Sequence, residues 1–269
     1  MARRDSDLLA EIERDVLDES RSVASALRKC LTLGGRANSA DLREWAKREL
    51  SGYRGSEESL PDYRQIRAPL LMDAFTGGGI FRGKQVSVID LPQEAREVVG
   101  DELPLTAGVG EIEALIQRAE ASGEPSKLLP PAAAELALMM THEVGRYQVE
   151  QVYWSVSPAV LRGVVDAIRT ALTELVAEMR AGMAGGDAAP SPEVVGQALQ
   201  FAVYGKGHRI TVATAGDGGT AIAAPQSSES EEPGFWTTTR RIWAAVGVLA
   251  GIVAAVAAVL ALHPKLLSR

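Results

Sequence analysis

Four stretches gather residues that carry chemistry. In "GGIFRGKQ", Gly78, Gly83 and Lys84 have the spacing of a phosphate-binding P-loop. Such a loop needs Ser or Thr after the lysine to hold magnesium, and a helix N-terminus to face the phosphate. Gln85 follows Lys84 here, and a strand-like run comes next. The stretch therefore reads as a glycine-rich hairpin. In "YGKGHR", Tyr204, Lys206, His208 and Arg209 alternate with glycines. Backbone N–H groups, fixed cations and a stacking ring can together hold a phosphodiester, so this is the first choice for an oligonucleotide site. Its plain alternative is a solvated turn between helix and strand. Arg64 in "PDYRQIR", together with Tyr63 and Arg67, and Arg82 and Lys84 in "FRGK", form a second choice. "LPDYR" also has a purely structural reading. His142 beside Glu143 is an acid–base pair without a nucleophile pattern such as Gly-x-Ser-x-Gly. No catalytic residue is assigned, and the chain is not expected to be an enzyme.

Composition narrows the classes further. The chain has 269 residues and a formal net charge of −7, so any polyanion site must be local. His142, His208 and His263 lie far apart, which leaves no metal-ligand spacing and no cofactor motif. Cys30 is the one cysteine and reads as a small buried hydrophobe. The opening "MARRDSDLLAEIERD" lacks the apolar stretch of a signal peptide, so the bulk of the chain is expected in the cytoplasm.

The elements that must position these residues follow from periodicity. Leu8, Leu9, Ile12, Val16 and Leu17 recur at helical spacing, "SVASALRKCLTLGG" continues to a stop at Gly34 and Gly35, and "NSADLREWAKRELSGY" starts at a capping Asn38. The last has an apolar stripe of Leu42, Trp45, Ala46 and Leu50. "GSEESLPDYRQIRAP" reads as a loop, and "GIFRGKQVSVIDLP" as a strand through Phe81, Val86 and Val88. "GVGEIEALIQRAEAS" is a helix and "RYQVEQVYWSVS" a strand. Pro158 opens the strongest helix, with a stripe through Val164, Ile168, Leu172, Leu175 and Met179. "EVVGQALQFAVYG" makes a shorter helix and "HRITVATA" a strand. The fold class expected is α+β: a mainly helical cytosolic domain over 1–215 (helical subdomain 6–54) with a small antiparallel sheet.

Residues 216–234 read as a flexible, acidic Gly/Ala/Ser linker. A single C-terminal transmembrane helix is expected over 235–263, followed by a short tail, 264–269. Its core, Ile242–Leu262, has no charge and no proline, and matches the roughly 20 residues a span requires. Trp236 and Trp243 suit the interface at its entry. Two Lys/Arg flank it on each side, so orientation follows from the absent upstream signal: single-pass in the inner membrane, N-terminal domain cytoplasmic. Gly247 and Gly251, continued by Ala254, Ala258 and Ala261, give a small-residue face that favours association with copies of itself. In a ring of copies, Arg240 and Arg241 would form a positive mouth and Thr237, Thr238 and Thr239 would line the approach. A plain anchor is the alternative.

"DLLAEIERDVLD", "SALRKCLTL", "DLREWAKRELSGY" and "LPDYR" together resemble the AbiTii family of bacterial abortive-infection proteins, as do the later "VLRGVVDAIRTALTELVAEM" and "ALQFAVYGKGHRITVATA". The resemblance covers roughly residues 6–215, and implies a toxin-like effector without supplying catalytic residues. Joined to a membrane helix, such a domain resembles the effector of Hailong-type anti-phage systems. That second resemblance implies a homo-oligomeric channel, a tetramer by analogy, gated by a nucleotide or single-stranded DNA oligomer. It implies as partners a nucleotidyltransferase-like protein or its oligonucleotide product, and the lipid bilayer.

Overall fold

The computed structural model describes residues 8–144, 148–183, 189–205, 212–215 and 219–222. In chain order the helices are α1 (Leu8–Leu17), α2 (Val23–Arg36), α3 (Ala40–Ser51), α4 (Gln93–Val99), α5 (Val109–Ser122), α6 (Ala133–Val144), α7 (Pro158–Gly182) and α8 (Pro192–Tyr204). The strands are β1 (Gln65–Ile66), β2 (Leu70–Thr76), β3 (Gly79–Val86), β4 (Leu103–Pro104), β5 (Ser126–Leu128), β6 (Gln148–Val156), β7 (Val212–Ala215) and β8 (Gly219–Ile222). Short 3₁₀ turns occupy Glu57–Ser59, Asp62–Arg64 and Val88–Asp90. The described chain is thus mainly helical with small antiparallel sheets, and divides into two compact units.

The first unit draws on the described residues of 8–69, 102–128 and 154–222. Its centre is α7. Ser157 caps that helix by accepting from the Val160 N–H, Pro158 fits the first turn, and Val164, Ile168, Leu172, Leu175 and Met179 are all buried. Helices α1, α5 and α8 pack around it, and α2 packs on α3. β1 pairs with β4, β5 with the Trp154–Val156 end of β6, and β7 with β8, all antiparallel. Arg169 of α7 holds the C-terminal end of α1. Its guanidinium donates to the carbonyls of Asp15, Val16 and Asp18 at 3.1–3.3 Å and to that of Arg21 at 2.7 Å. Asp15 and Val16 lie in the last turn of α1, where helix carbonyls lack an intrahelical partner, and a cation suits the negative end of the helix dipole.

Beside that end, Asp15 is 2 % exposed and meets Arg21 at 2.7 Å and Lys29 at 2.8 Å. Burial pushes its carboxyl up, but hydrogen bonds and charge from Lys29 and Arg21 outweigh this and hold it below its ordinary value of 3.8. A lowered folded value contributes stability that is complete above the ordinary value and is lost as pH falls through the folded one. Thermal unfolding followed against pH is expected to lose this contribution below about 3.8, and Asp15→Asn is expected to flatten that part of the profile.

The second unit draws on Leu70–Asp101 and Leu129–Tyr153. Here β2 and β3 form an antiparallel hairpin with β2 next to β6, and the register shifts between Met72 and Ala74. Strand β3 is at the edge of this sheet, with Gly79–Gln85 exposed.

Several expectations change. α2 runs through Gly34 and Gly35 to Arg36, and Gly34 leaves room for the Arg43 stem: a Cβ there would lie 2.8 Å from Arg43 Cγ. Ser39, not Asn38, caps α3, accepting from the Leu42 N–H at 3.3 Å, while Asn38 takes a left-handed φ of 51°. β3 ends at Val86, and Val88 lies in a 3₁₀ turn. Gly219–Ile222, inside the stretch read as linker, forms β8, where Thr220 and Ile222 pair across from Thr214 and Val212. No helix among the described residues is long and apolar enough to cross a membrane, and 242–262 lies outside them.

Candidate functional site

The most specific sequence stretch, "WAKRELSGY…LPDYR", folds into one buried polar cluster. Leu42, Trp45, Ala46 and Glu49 share the inward face of α3, so Glu49 rather than Leu50 completes the stripe. Glu49 and Arg64 are both fully buried, and the guanidinium meets the carboxylate through Nη2 at 2.5 Å and Nε at 3.2 Å. Tyr53 and Tyr63 each donate a phenol hydrogen to Glu49 Oε1, at 2.7 and 2.9 Å. Trp45 Nε1–H donates to the Tyr63 oxygen at 3.2 Å. Arg64 Nη1 donates to the carbonyls of Leu105 at 3.0 Å and Ala107 at 2.7 Å, and its charge lies 5.0 Å from the Tyr53 ring centre. Burial, reinforced by the negative Glu49, pushes both phenols well above their ordinary range. Burial alone would lower the guanidinium, but Glu49 reverses this and raises it. A buried ion pair persists when its remaining donors and acceptors are satisfied, as here. The cluster ties the end of α3 to the segment before α5.

That geometry corrects the reading of Arg64 as a ligand-binding cation. All three of its guanidinium nitrogens are engaged inside the fold, and none faces solvent. Tyr63 is buried with it. Arg67 is on the surface, 3.4 Å from Glu102.

Arg82 and Lys84 lie in the second unit, two residues apart on β3 and both exposed. Arg82 Nη1 is 3.4 Å from Asp73 and 3.3 Å from Glu150. Asp73 is fully buried at the register shift, where it accepts from the Gly83 N–H at 2.7 Å, the Tyr153 hydroxyl at 3.0 Å and the Gln151 amide at 3.0 Å. The near-P-loop glycines therefore belong to a β-hairpin, where Thr76 Oγ1 accepts from the Gly78 N–H and donates to the Gly79 carbonyl. No helix N-terminus follows Lys84, and the loop has no phosphate cradle of the P-loop kind.

Tyr204 closes α8 in the first unit. It is 45 % exposed, with Phe201 one turn earlier 59 % exposed. α8 packs against α3. Burial raises the Tyr204 phenol above its ordinary range, Arg48 opposes this, and Glu49 and Asp41 add to it. Lys206, His208 and Arg209 lie outside the described residues, as do Thr239, Arg240, Arg241, Gly247, Gly251, Ala254 and Ala258. His142 is exposed in the last turn of α6. Among the described residues, no His, Cys, Asp or Glu group is placed to hold a metal. In the first unit, the arrangement is a buried polar cluster that holds α3 in place, with Phe201 and Tyr204 exposed at the end of α8.

Sequence reasoning missed Glu49 and Asp73. Glu49 had a signal, because it occupies an apolar-stripe position seven residues after Leu42. Asp73, inside "LLMDAF", had none beyond a charge in an apolar run.

No curated protein matches the chain, and no solved structure does. The AbiTii family profile matches residues 7–194 of 269. That match spans both stretches that build the buried cluster and points to abortive-infection defence: the chain belongs to the AbiTii family.

Proposed function

We propose that this AbiTii protein is a membrane-inserted anti-phage effector. In this reading, copies of the chain associate through the small-residue face at Gly247, Gly251, Ala254 and Ala258 and form an ion channel. A nucleotide or single-stranded DNA oligomer on the cytosolic domain controls its opening. Opening depolarises the membrane and arrests growth before phage are released. The observation that carries the proposal is the uncharged segment Ile242–Leu262 following a domain of an abortive-infection family. The control ligand rests on the architectural likeness to Hailong-type systems. A ligand shifts such an equilibrium by binding the open and closed states unequally.

A tethered toxin enzyme, or a non-conducting scaffold for a partner, would use the same segment as an anchor. Replacing 242–262 by an unrelated leucine-rich span in the full-length chain separates these readings. Growth arrest and membrane potential are measured in cells expressing each version. The channel reading expects depolarisation and arrest to disappear with the replacement. Arrest that survives it, in protein still found in the membrane, would overturn the channel and favour the enzyme.

A further inference from the structure

Residues 21–48 hold seven Lys/Arg and two Asp/Glu, in a chain whose formal net charge is −7. Not all of this charge is available on the surface. Arg21 and Lys29 turn toward Asp15, Asp18 and Glu11. Arg48 lies 3.0 Å from Glu44, in an ion pair without hydrogen-bond geometry. Arg28 on α2 and Arg43 and Lys47 on α3 are exposed. Arg43 and Lys47 stand one turn apart, and the Arg43 stem runs over Gly34, so the charge of α3 continues onto α2. On its other flank α3 meets α8, where Arg48 and Asp41 act on Tyr204. Apolar side chains are exposed on these same helices: Leu31 on α2 (36 %), and Phe201 (59 %) and Tyr204 (45 %) on α8.

We infer that the outer surface of α2 and α3, with the Phe201–Tyr204 end of α8, docks on an anionic lipid surface. The inference rests on the membrane-inserted reading above. Charge complementarity selects the partner: a local cationic face on an acidic chain is attracted to an anionic leaflet while the rest of the molecule is not. Exposed aliphatic and aromatic side chains among Lys and Arg match the headgroup boundary, where Leu, Phe and Tyr bury their apolar parts and cations meet phosphate. A single-stranded nucleic acid would use the ring faces and the cations but has no use for the aliphatic Leu31. The docked face would set how the domain stands on the bilayer.

The test uses the full-length chain with Thr32→Cys carrying a fluorophore; Cys30 is buried and stays unlabelled. The protein is placed in nanodiscs of phosphatidylcholine, with or without phosphatidylglycerol, containing a headgroup-spin-labelled lipid as quencher. Quenching is expected in the anionic discs. It is expected to fall in 0.5 M salt, where the Debye length shrinks to a few ångströms (about 4 Å). It is also expected to fall in Arg28→Gln/Arg43→Gln/Lys47→Gln, with the docked-to-undocked ratio dropping about fivefold per cation removed. The salt arm keeps the test decisive should the triple variant unfold. Equal quenching in both discs, or none in either with the protein inserted, would overturn the inference. So would a labelled oligothymidylate that binds this face, loses affinity in the triple variant and is accompanied by no lipid quenching. Failure to enter phosphatidylcholine discs counts against the span alone if phosphatidylglycerol restores binding; failure with both lipids sinks both readings.

Discussion

Arg64→Met is expected to destabilise the first unit by about 3–5 kcal/mol, the range for breaking a buried ion pair from one side. The loss is large because Glu49 remains fully buried with its charge and without its guanidinium. For a unit of this size that corresponds to a fall in melting temperature of about 10 °C. Circular dichroism during heating measures it. Glu49→Gln is expected to cost less than Arg64→Met. The amide keeps an oxygen for the Tyr53 and Tyr63 hydroxyls, while Arg64 retains the carbonyls of Leu105 and Ala107. Replacing the pair together, as Glu49→Leu/Arg64→Met, is expected to recover part of the loss, since no buried charge is then left alone. Recovery stays partial because two phenols lose their acceptor. Adding Tyr53→Phe is expected to recover more. A near-neutral Arg64→Met would contradict the role given to the cluster.

Gly108→Ala is expected to cost about 1–3 kcal/mol, the usual range for forcing an added methyl into a packed site. A Cβ on Gly108 would collide with the Leu50 carbonyl oxygen and lie 3.0 Å from its carbon and 3.1 Å from the Ser51 carbonyl carbon. These are backbone atoms at the end of α3, so no rotamer change relieves the contact. The shift must reach the Ala107 carbonyl, which holds Arg64 at 2.7 Å. Gly108→Ala and Arg64→Met are therefore expected to combine less than additively, in contrast with distant sites. Gly110→Ala is the control: nothing lies within 4 Å of its Cβ, and it sits in α5. It is expected to be neutral or stabilising by up to about 1 kcal/mol. Equal losses at the two glycines would reject packing as the cause.

The legible parts of the fold were those with long periodicity and terminal chemistry. α7 declares itself through a stripe from Val164 to Met179 and the Ser157–Pro158 start. α1, α2 and α3 were legible as helices, but their ends were set by packing: Gly34 stays helical where α3 crowds it, and Ser39 outcompetes Asn38 as the cap. β2 and α6 were missed for a different reason. "LLMDAF" is a short apolar run whose period fits either state, and "AAELALMMTHEV" carries apolar residues around most of its circumference. The site was less legible than the fold, because residue type does not report burial. Arg64 looked like a surface cation until its partners, Glu49 on α3 and the carbonyls of Leu105 and Ala107, came together from distant parts of the chain. The basic face of α2 and α3 was diluted in a net-acidic composition, and emerges once Arg21 and Lys29 are seen to face α1 while Arg43 and Lys47 face out.

The proposed channel would conduct ions through the C-terminal segment under control of a ligand on the N-terminal domain. Ion flux through liposomes reconstituted with the full-length protein, with and without short single-stranded DNA oligomers, tests it most directly. Flux from the protein alone and its suppression by the oligomer are expected. No flux under either condition, from protein shown to be inserted and oligomeric, would contradict a channel and reduce Ile242–Leu262 to an anchor.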